Sequence, residues 1–283
     1  MAIKTNSSSQ ETVRLGGVKN IIAVGSGKGG VGKSTVAVNL AMALKQSGAS
    51  VALLDADIYG PSVPIMMGAK GERPTLISQN TIRPIERYGI DTISMGNMIE
   101  ESDAVVWRGP MLTKVLNQFI DDVNWGEKDF LVIDLPPGTG DVQLSLSQMV
   151  SVAGAIVVTT PQDVSMADVR RAIRMFEMTR VPVLGIVENM AFFNCPDNGK
   201  DYYIFGEGRT KEACAEMNVP LLGSLPLDMG VGPAADRGEP ILVSEPGGDQ
   251  AKRFHELAAT VRKLVEKSDD VSSASQFSEF FSG

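Results

Sequence analysis

Short apolar runs rich in β-branched residues recur along the chain from about residue 20 onward. Runs of this length and composition are typical of strands buried on both faces of a parallel sheet. They occupy residues 21–24, 51–54, 130–133, 155–158, 183–186 and 221–225. We therefore predict a central sheet of mostly parallel strands.

Several of these runs are separated by segments in which apolar positions recur with helical spacing. They cover residues 34–46, 111–123, 141–150, 166–178 and 249–266. Alternating strands and helices favour right-handed crossover connections that place helices on both faces of the sheet. The predicted fold class is α/β, a doubly wound, mostly parallel sheet with helices on both faces.

The length of 283 residues and the 43% content of hydrophobic residues suit one large core. Residues 1–18 are polar and rich in serine, so we expect a flexible lead-in before one domain at 19–266. Residues 267–283 are acidic and serine-rich but contain Phe277, Phe280 and Phe281. We expect this segment to form a mobile tail.

Charge and composition narrow the possible partners and the compartment. The net charge of -8 leaves no excess of cations for coating nucleic acid. No apolar stretch approaches the ~20 residues of a membrane-spanning helix, and the first residues lack an apolar signal region. Two cysteines, Cys195 and Cys214, do not make a disulfide framework. We expect a cytoplasmic protein without stable membrane association and without nucleic acid as a partner.

A glycine-rich loop, GKGGVGKST, lies between the first predicted strand and the first predicted helix. It comprises Gly27, Lys28, Gly29, Gly30, Val31, Gly32, Lys33, Ser34 and Thr35. Its glycines let successive backbone N–H groups point inward at phosphate oxygens, where a Cβ would obstruct the approach. This spacing predicts a nucleotide-binding P-loop rather than a glycine-rich turn without a ligand.

The loop's polar side chains suit ATP and Mg²⁺. Lys33 supplies a positive charge to the β- and γ-phosphates, and Ser34 offers its hydroxyl to the metal ion. The helix that begins there adds its N-terminal dipole. We therefore expect a Mg²⁺-dependent ATPase in which Lys33 is catalytic.

Carboxylates follow two of the predicted strands, at the sheet edge where open α/β sheets bind ligands. Asp55 and Asp57 come after residues 51–54, and Asp134 comes after residues 130–133. Asp134 fits the magnesium-binding aspartate of a P-loop enzyme, and Gly138 can offer its N–H to the γ-phosphate. Each aspartate taken alone could instead cap a helix or stabilise a turn.

Several longer segments resemble one family within the deviant Walker A ATPases. They are DADIYGPSVP (55–64), WRGPM (107–111), DFLVIDLPPGTGD (129–141), TTPQDV (159–164) and GIVENM (185–190). With the P-loop, they resemble the Mrp/ApbC family of iron–sulfur cluster carrier ATPases, relatives of MinD and ParA. The resemblance covers nearly all of residues 18–265.

The resemblance implies a homodimer that hydrolyses ATP and carries a [4Fe-4S] cluster from an assembly scaffold to apo iron–sulfur proteins. It implies that Lys28 contacts the nucleotide of the partner subunit, whereas the alternative is a solvated loop lysine. Asp57 would position the attacking water, with Asp55 nearer the metal. Asn189 would recognise adenine, with the backbone near Pro226 completing the base pocket, although Asn189 could also be a strand-end cap.

The cysteine pattern departs from that of the family. Its usual Cys-x-x-Cys motif corresponds here to Cys195, Pro196, Asp197 and Asn198, so a dimer offers two thiolates where a cluster normally takes four. Cys195 is the expected cluster ligand, against the alternative of an inert loop thiol. Cys214, Asp197 or a small thiol could complete the ligand set, and His255 is expected to be a surface residue.

Two other functions stay open at this point. One is a positioning ATPase like MinD or ParA, which the acidic composition and the lack of a basic amphipathic C-terminal helix disfavour. The other is an ATP-gated adaptor that has lost cluster binding, which the residue at 198 supports.

Overall fold

The computed structural model describes residues 15–58, 60–78, 81–98 and 109–280. Its strands, in chain order, are β1 (Val18–Ser26), β2 (Val51–Asp55), β3 (Thr75–Ser78), β4 (Thr81–Arg83), β5 (Ile85–Arg87), β6 (Ile90–Ser94), β7 (Lys128–Asp134), β8 (Gly154–Thr159), β9 (Val183–Glu188), β10 (Phe193–Asn194), β11 (Asp201–Tyr202) and β12 (Leu221–Ser224). The central sheet has eight strands in the order β12-β9-β8-β1-β7-β2-β6-β5. Its pairs are parallel except for β5, which is antiparallel to β6.

The helices lie mainly between the sheet strands. They are α1 (Lys33–Gln46), α2 (Val63–Met66), α3 (Met95–Met98), α4 (Gly109–Asp121), α5 (Asp141–Met149), α6 (Asp163–Met178), α7 (Thr210–Glu216), α8 (Val231–Asp236), α9 (Ile241–Ser244) and α10 (Asp249–Phe280). Among the residues described, no helix combines the length and apolar character needed to cross a bilayer.

The prediction of a doubly wound, mostly parallel sheet is confirmed. Side chains alternate along β1, so Ile21 belongs to one core layer and Ile22 to the other. The first layer also contains side chains of α4 and α6, and the second contains those of α1 and α10. Each face of the sheet is therefore covered by helices, as buried parallel strands require.

The sheet extends further than the apolar runs indicated. β6 pairs in parallel with β2, and β5 forms the edge beyond it. The sequence of β6, IDTIS, mixes polar and apolar residues, and such a short pattern is a weak strand signal. Its Thr92 and Ser94 are nevertheless fully buried.

Both expected ends of the domain differ from the structure. Residues 1–14 of the expected lead-in lie outside the described residues, but Leu15 is buried in the core and β1 begins at Val18. The domain therefore starts before residue 19. At the other end α10 continues to Phe280, because no glycine or proline interrupts it, so most of the expected tail continues a helix.

A hydrogen-bonded cluster around Asp129 joins the beginnings of β1, β2 and β7. Its carboxylate accepts bonds from Lys19 Nζ at 2.7 Å and from the backbone N and Oγ of Ser50, both at 2.8 Å. The bond from Lys19, followed by those from Ser50, lowers the pKa of the Asp129 carboxyl. The ionised form of Asp129 thus stabilises the edge of the sheet opposite the P-loop.

We predict that Asp129→Ala lowers the free energy of unfolding by about 1–2 kcal/mol at neutral pH, because it removes the bonds to Ser50. Lys19→Ala should have a smaller effect, since that lysine is exposed. Urea unfolding measures both.

The Asp129 contribution depends on pH. Its pKa is lower in the folded state than in the unfolded state, so the stabilisation is present above the unfolded value of about 4 and declines as the pH falls below it. The difference between the parent and Asp129→Ala should shrink there. An equal difference at pH 7 and pH 3 would contradict this account.

Candidate functional site

The P-loop lies at the carboxyl edge of the sheet, between β1 and α1. Packing explains two of its glycines. A Cβ on Gly27 would lie 2.4 Å from the backbone carbon of Asp168 in α6, and a Cβ on Gly32 would lie 2.2 Å from Nδ2 of Asn189. Gly32 also has a φ of +80°, which favours glycine. The loop is therefore fitted between α6 and Asn189, while Gly29 and Gly30 stay exposed.

Lys33 is the centre of the site. Its side chain is 6% exposed, and its Nζ lies 2.6 Å from Asp134 Oδ1 and 3.7 Å from Asp57 Oδ2. Ser34 Oγ is 3.2 Å from the same Nζ. Because an unpaired buried ammonium is costly, these oxygens hold the lysine head in place. Thr35 follows in the first turn of α1, half-buried.

The carboxylates come from neighbouring strands in register. Asp55 ends β2 and pairs with Asp134, which ends β7. Asp55 accepts hydrogen bonds from Ser94 Oγ at 2.9 Å and from the backbone N of Asp57 at 3.0 Å. Burial, followed by the charge of Asp134, raises the pKa of Asp55 to about 8. Burial also raises the pKa of Asp134, although Lys33 opposes this shift.

The oxygen atoms of this cluster fit a magnesium ion. Asp134 Oδ2 is fully buried and has no hydrogen-bond partner among the described residues. Carboxylate and hydroxyl oxygens are the donors that Mg²⁺ prefers. No group of three or more His, Cys, Asp or Glu side chains in the described part forms a metal site by itself. Phosphate and water oxygens would therefore complete the coordination, as they commonly do for Mg²⁺.

Lys28 in the P-loop and Gly138 after β7 both form hydrogen bonds within the same chain. Lys28 Nζ donates to Gln162 Oε1 at 2.9 Å, and Ser26 Oγ donates to the carbonyl of Lys28 at 2.9 Å. The N–H of Gly138 donates to the carbonyl of Ser26 at 2.8 Å. The segment after β7 is thereby tied to the start of the P-loop.

Asn189 connects the P-loop with the end of β9. Its Nδ2 donates to the carbonyl of Val31 at 2.9 Å, and its backbone N–H donates to Thr159. The next residue, Met190, has a φ of 55°, a conformation that is uncommon for a residue with a side chain. Strained backbone conformations of this kind cluster at functional sites.

Pro226 lies beside the chain that follows Asn189. Ala191 donates its N–H to Leu225, and Leu227 donates its N–H to Phe192. The carbonyl of Pro226 accepts a bond from Gln250 Nε2 at 2.9 Å. A cavity of about 750 Å³ opens here, and it is also lined by Asn194 and Pro196, the neighbours of Cys195.

Cys195 lies in the turn between β10 and β11, where it is partly exposed. Asn198 occupies the other position of the expected motif. Its Oδ1 accepts from Lys200 N at 2.9 Å, and its Nδ2 donates to Tyr202 Oη at 3.0 Å. Both ends of the amide are therefore used within the hairpin.

The other candidate ligands lie elsewhere. Cys214 is buried in α7, and burial, with a smaller effect from Glu188, raises the pKa of its thiol. A buried thiol with a raised pKa is a poor source of thiolate. His255 is partly exposed in α10.

Three residues of the site region were missed in the sequence. Ser94 holds Asp55, Gln162 holds Lys28, and Glu188 accepts bonds from Thr210 Oγ1 and Ser224 Oγ. Gln162 and Glu188 lie within the segments TTPQDV and GIVENM, which resemble the family, but the sequence does not indicate what either side chain does. No signal pointed to Ser94, because β6 itself was missed.

Known proteins resemble this chain over most of its length. A carrier protein of Aquifex aeolicus, named "iron-sulfur cluster carrier protein", is 53% identical over 254 residues, which is 89% of this chain and 70% of the relative. An Arabidopsis thaliana protein named "iron-sulfur protein required for NADH dehydrogenase, mitochondrial" is 47% identical, covering 90% of this chain and 82% of its own length.

Solved structures share the fold. The nucleotide-binding protein of Archaeoglobus fulgidus, solved with ADP, has a TM-score of 0.73 and 38% identity, and the match covers 85% of this chain and 94% of that one. The cell division ATPase MinD of Pyrococcus furiosus has a TM-score of 0.67 at 24% identity, covering 87% and 99%, which shows the fold alone.

The family profile described as "ParA: NUBPL iron-transfer P-loop NTPase" matches residues 17–262. This match includes the P-loop, the carboxylate cluster, Asn189 and the hairpin with Cys195. The resemblance to the carrier ATPases related to MinD and ParA is thus confirmed, and the chain belongs to the NUBPL iron-transfer family of P-loop NTPases.

Proposed function

We propose that this chain is a cytoplasmic, Mg²⁺-dependent ATPase that acts as a homodimer and delivers iron–sulfur clusters to apo-proteins. The observation that carries the ATPase part is the position of Lys33, buried beneath the P-loop among Asp57, Asp134 and Ser34. The names of the relatives from Aquifex and Arabidopsis support the proposal that the cargo is an iron–sulfur cluster.

The protein's own residues divide the work on ATP. Lys33 exchanges Asp134 for the β- and γ-phosphate oxygens, while the P-loop N–H groups and the start of α1 bind the remaining phosphate charge. Asp134, Asp55 and Ser34 would hold Mg²⁺, which would supply positive charge next to the phosphates. Asp57, which is buried, would orient the water that attacks the γ-phosphorus.

Lys28 completes the site from the partner subunit. Among the described residues, the buried cluster has one lysine and three aspartates. A lysine supplied across a dimer would add positive charge for the transition state at the γ-phosphoryl group, as an arginine finger does. Gly138 N–H would leave Ser26 to bind the γ-phosphate, which makes its segment sensitive to hydrolysis.

The base of the nucleotide would lie toward Asn189 and Pro226. Asn189 has an amide that can donate to and accept from adenine, but its Nδ2 is bonded to Val31. Adenine binding would thus exchange a contact to the P-loop for a contact to the base. The N–H of Leu227 is bonded to the carbonyl of Phe192, so this exchange would also alter the position of the segment that leads to Cys195.

Cys195 is the proposed thiolate for the cargo. Its partial exposure on a short hairpin allows two such hairpins to share one cluster in a dimer. With Asn198 satisfied inside the hairpin, each subunit supplies one thiolate from this turn. A cluster held by fewer than four thiolates would be bound weakly, which suits a protein that passes it on.

We predict that Lys33→Ala weakens ATP binding by more than about 30-fold, because it removes a buried charge that faces the phosphates. Calorimetric titration with a non-hydrolysable ATP analogue measures this change. Lys45→Ala, in the last turn of the same helix, serves as the control and should bind normally. Unchanged affinity of a folded Lys33→Ala protein would contradict the assignment.

Lys28→Ala should leave ATP binding within a few-fold of the parent but reduce hydrolysis by about 10³-fold or more, the effect typical of an arginine finger. Steady-state phosphate release and analogue titration separate the two quantities. Lys252→Ala, exposed in α10, controls for the loss of a surface charge. Equal turnover by Lys28→Ala and the parent would exclude the proposed role.

A third prediction concerns Cys195, the proposed ligand of the iron–sulfur cluster. After anaerobic reconstitution, Cys195→Ala should lose most bound iron and sulfide, whereas Cys214→Ala should keep them because Cys214 is buried. Asn198→Cys should make the cluster more resistant to a chelator, since a dimer then offers four thiolates. Iron and sulfide in the Cys195→Ala protein equal to those of the parent would favour an adaptor without cluster chemistry.

A further inference from the structure

The contact between Lys28 and Gln162 is well defined. Gln162 follows β8 and directly precedes α6, and its carbonyl accepts the N–H of Ser165 at 2.8 Å. Its Oε1 accepts a hydrogen bond from Lys28 Nζ at 2.9 Å, and both residues are partly buried. The backbone of Lys28 is fixed as well, because Ser26 Oγ donates to its carbonyl. The lysine head is thus held on its own subunit.

The group that accepts the hydrogen bond from Lys28 is the side-chain amide oxygen of Gln162, and its lack of charge determines how strongly Lys28 is held. An amide oxygen carries no formal charge, so it holds an ammonium group less strongly than a carboxylate would. A phosphate oxygen is a stronger acceptor than an amide, so a nearby γ-phosphate can take the lysine from Gln162. Among the described side chains, the recorded acceptor of Lys28 Nζ is therefore a neutral amide.

We propose that Gln162 is a positioning residue that holds Lys28 on its own subunit and releases it to the nucleotide of the partner. This inference rests on the proposed function of Lys28. The bond to Gln162 must break before Lys28 reaches the second subunit, so its strength adds to the free energy needed for an active dimer. Gln162 therefore sets how readily two subunits form a catalytic pair.

Two substitutions should change the rate in opposite directions. Gln162→Ala removes the acceptor, so ATP turnover at protein concentrations too low for full dimerisation should rise by about fivefold. Gln162→Glu replaces it with a carboxylate that forms an ion pair, so turnover should fall by about fivefold or more under the same conditions. ATP affinity of the single subunit should stay within a few-fold of the parent.

The experiment measures phosphate release against protein concentration for the parent, Gln162→Ala and Gln162→Glu, each also in a Lys28→Ala background. Gln118→Glu, an exposed site on α4, makes the same change of charge elsewhere. We expect the order Gln162→Ala, parent, Gln162→Glu from fastest to slowest. The differences should vanish in the Lys28→Ala background.

Other outcomes overturn the inference in distinguishable ways. If both Gln162 variants slow turnover, or if their effects persist without Lys28, Gln162 has a structural role and the inference is wrong while the role of Lys28 stands. If Lys28→Ala alone leaves turnover unchanged, the proposed function fails first.

The chemical reactivity of Lys28 gives a test that needs no turnover. Acetylation of Lys28 in the nucleotide-free protein, followed by mass spectrometry, should be faster in Gln162→Ala than in the parent. Equal rates would overturn the retention of Lys28 by Gln162.

Discussion

The ion pair between Lys33 and Asp134 links the fold of this protein to its chemistry. A lysine with 6% exposure needs close oxygen partners, and the nearest, at 2.6 Å, is the aspartate that ends the neighbouring strand β7. That partnership requires β1 and β7 to be paired in the observed register, with Val24 beside Asp134. Asp55 must then end β2 at the same level. The sheet thereby places Lys33 and three aspartate side chains where the P-loop opens.

The ion pair with Lys33 engages only one oxygen of the Asp134 carboxylate. Lys33 occupies Asp134 Oδ1, whereas Oδ2 stays buried without a partner in the described residues. An unpaired oxygen in the interior carries a free-energy cost that a metal ion can remove. In the proposed function, a Mg²⁺ ion held by Asp134 would satisfy this oxygen. Lys28 and Asn189 are each bonded to a protein acceptor as well, the side-chain amide oxygen of Gln162 and the backbone carbonyl of Val31.

Much of the fold and the core of the site could be predicted from the sequence. The sequence reveals the strands with continuous apolar runs, because a strand buried on both faces is apolar along its whole length. It also reveals the aspartates at the strand ends, because the position of a charge along the chain is a local property. β6 was not, since its buried Thr92 and Ser94 are polar and their burial depends on neighbouring strands. The contacts Lys28–Gln162 and Asn189–Val31 join residues 134 and 158 positions apart, so only the folded chain reveals them.

The central claim is that each ATPase site takes Lys28 from the other subunit. The most direct measurement mixes two variants that both keep Lys33, Lys28→Ala and Asp57→Asn, each expected to be nearly inactive alone. In a mixed dimer the Lys28→Ala subunit retains Asp57 and receives Lys28 from its partner. The account predicts that an equal mixture recovers about a quarter of the parental turnover, since half of randomly paired dimers carry one complete site. Turnover equal to the sum of the separate variants would contradict it.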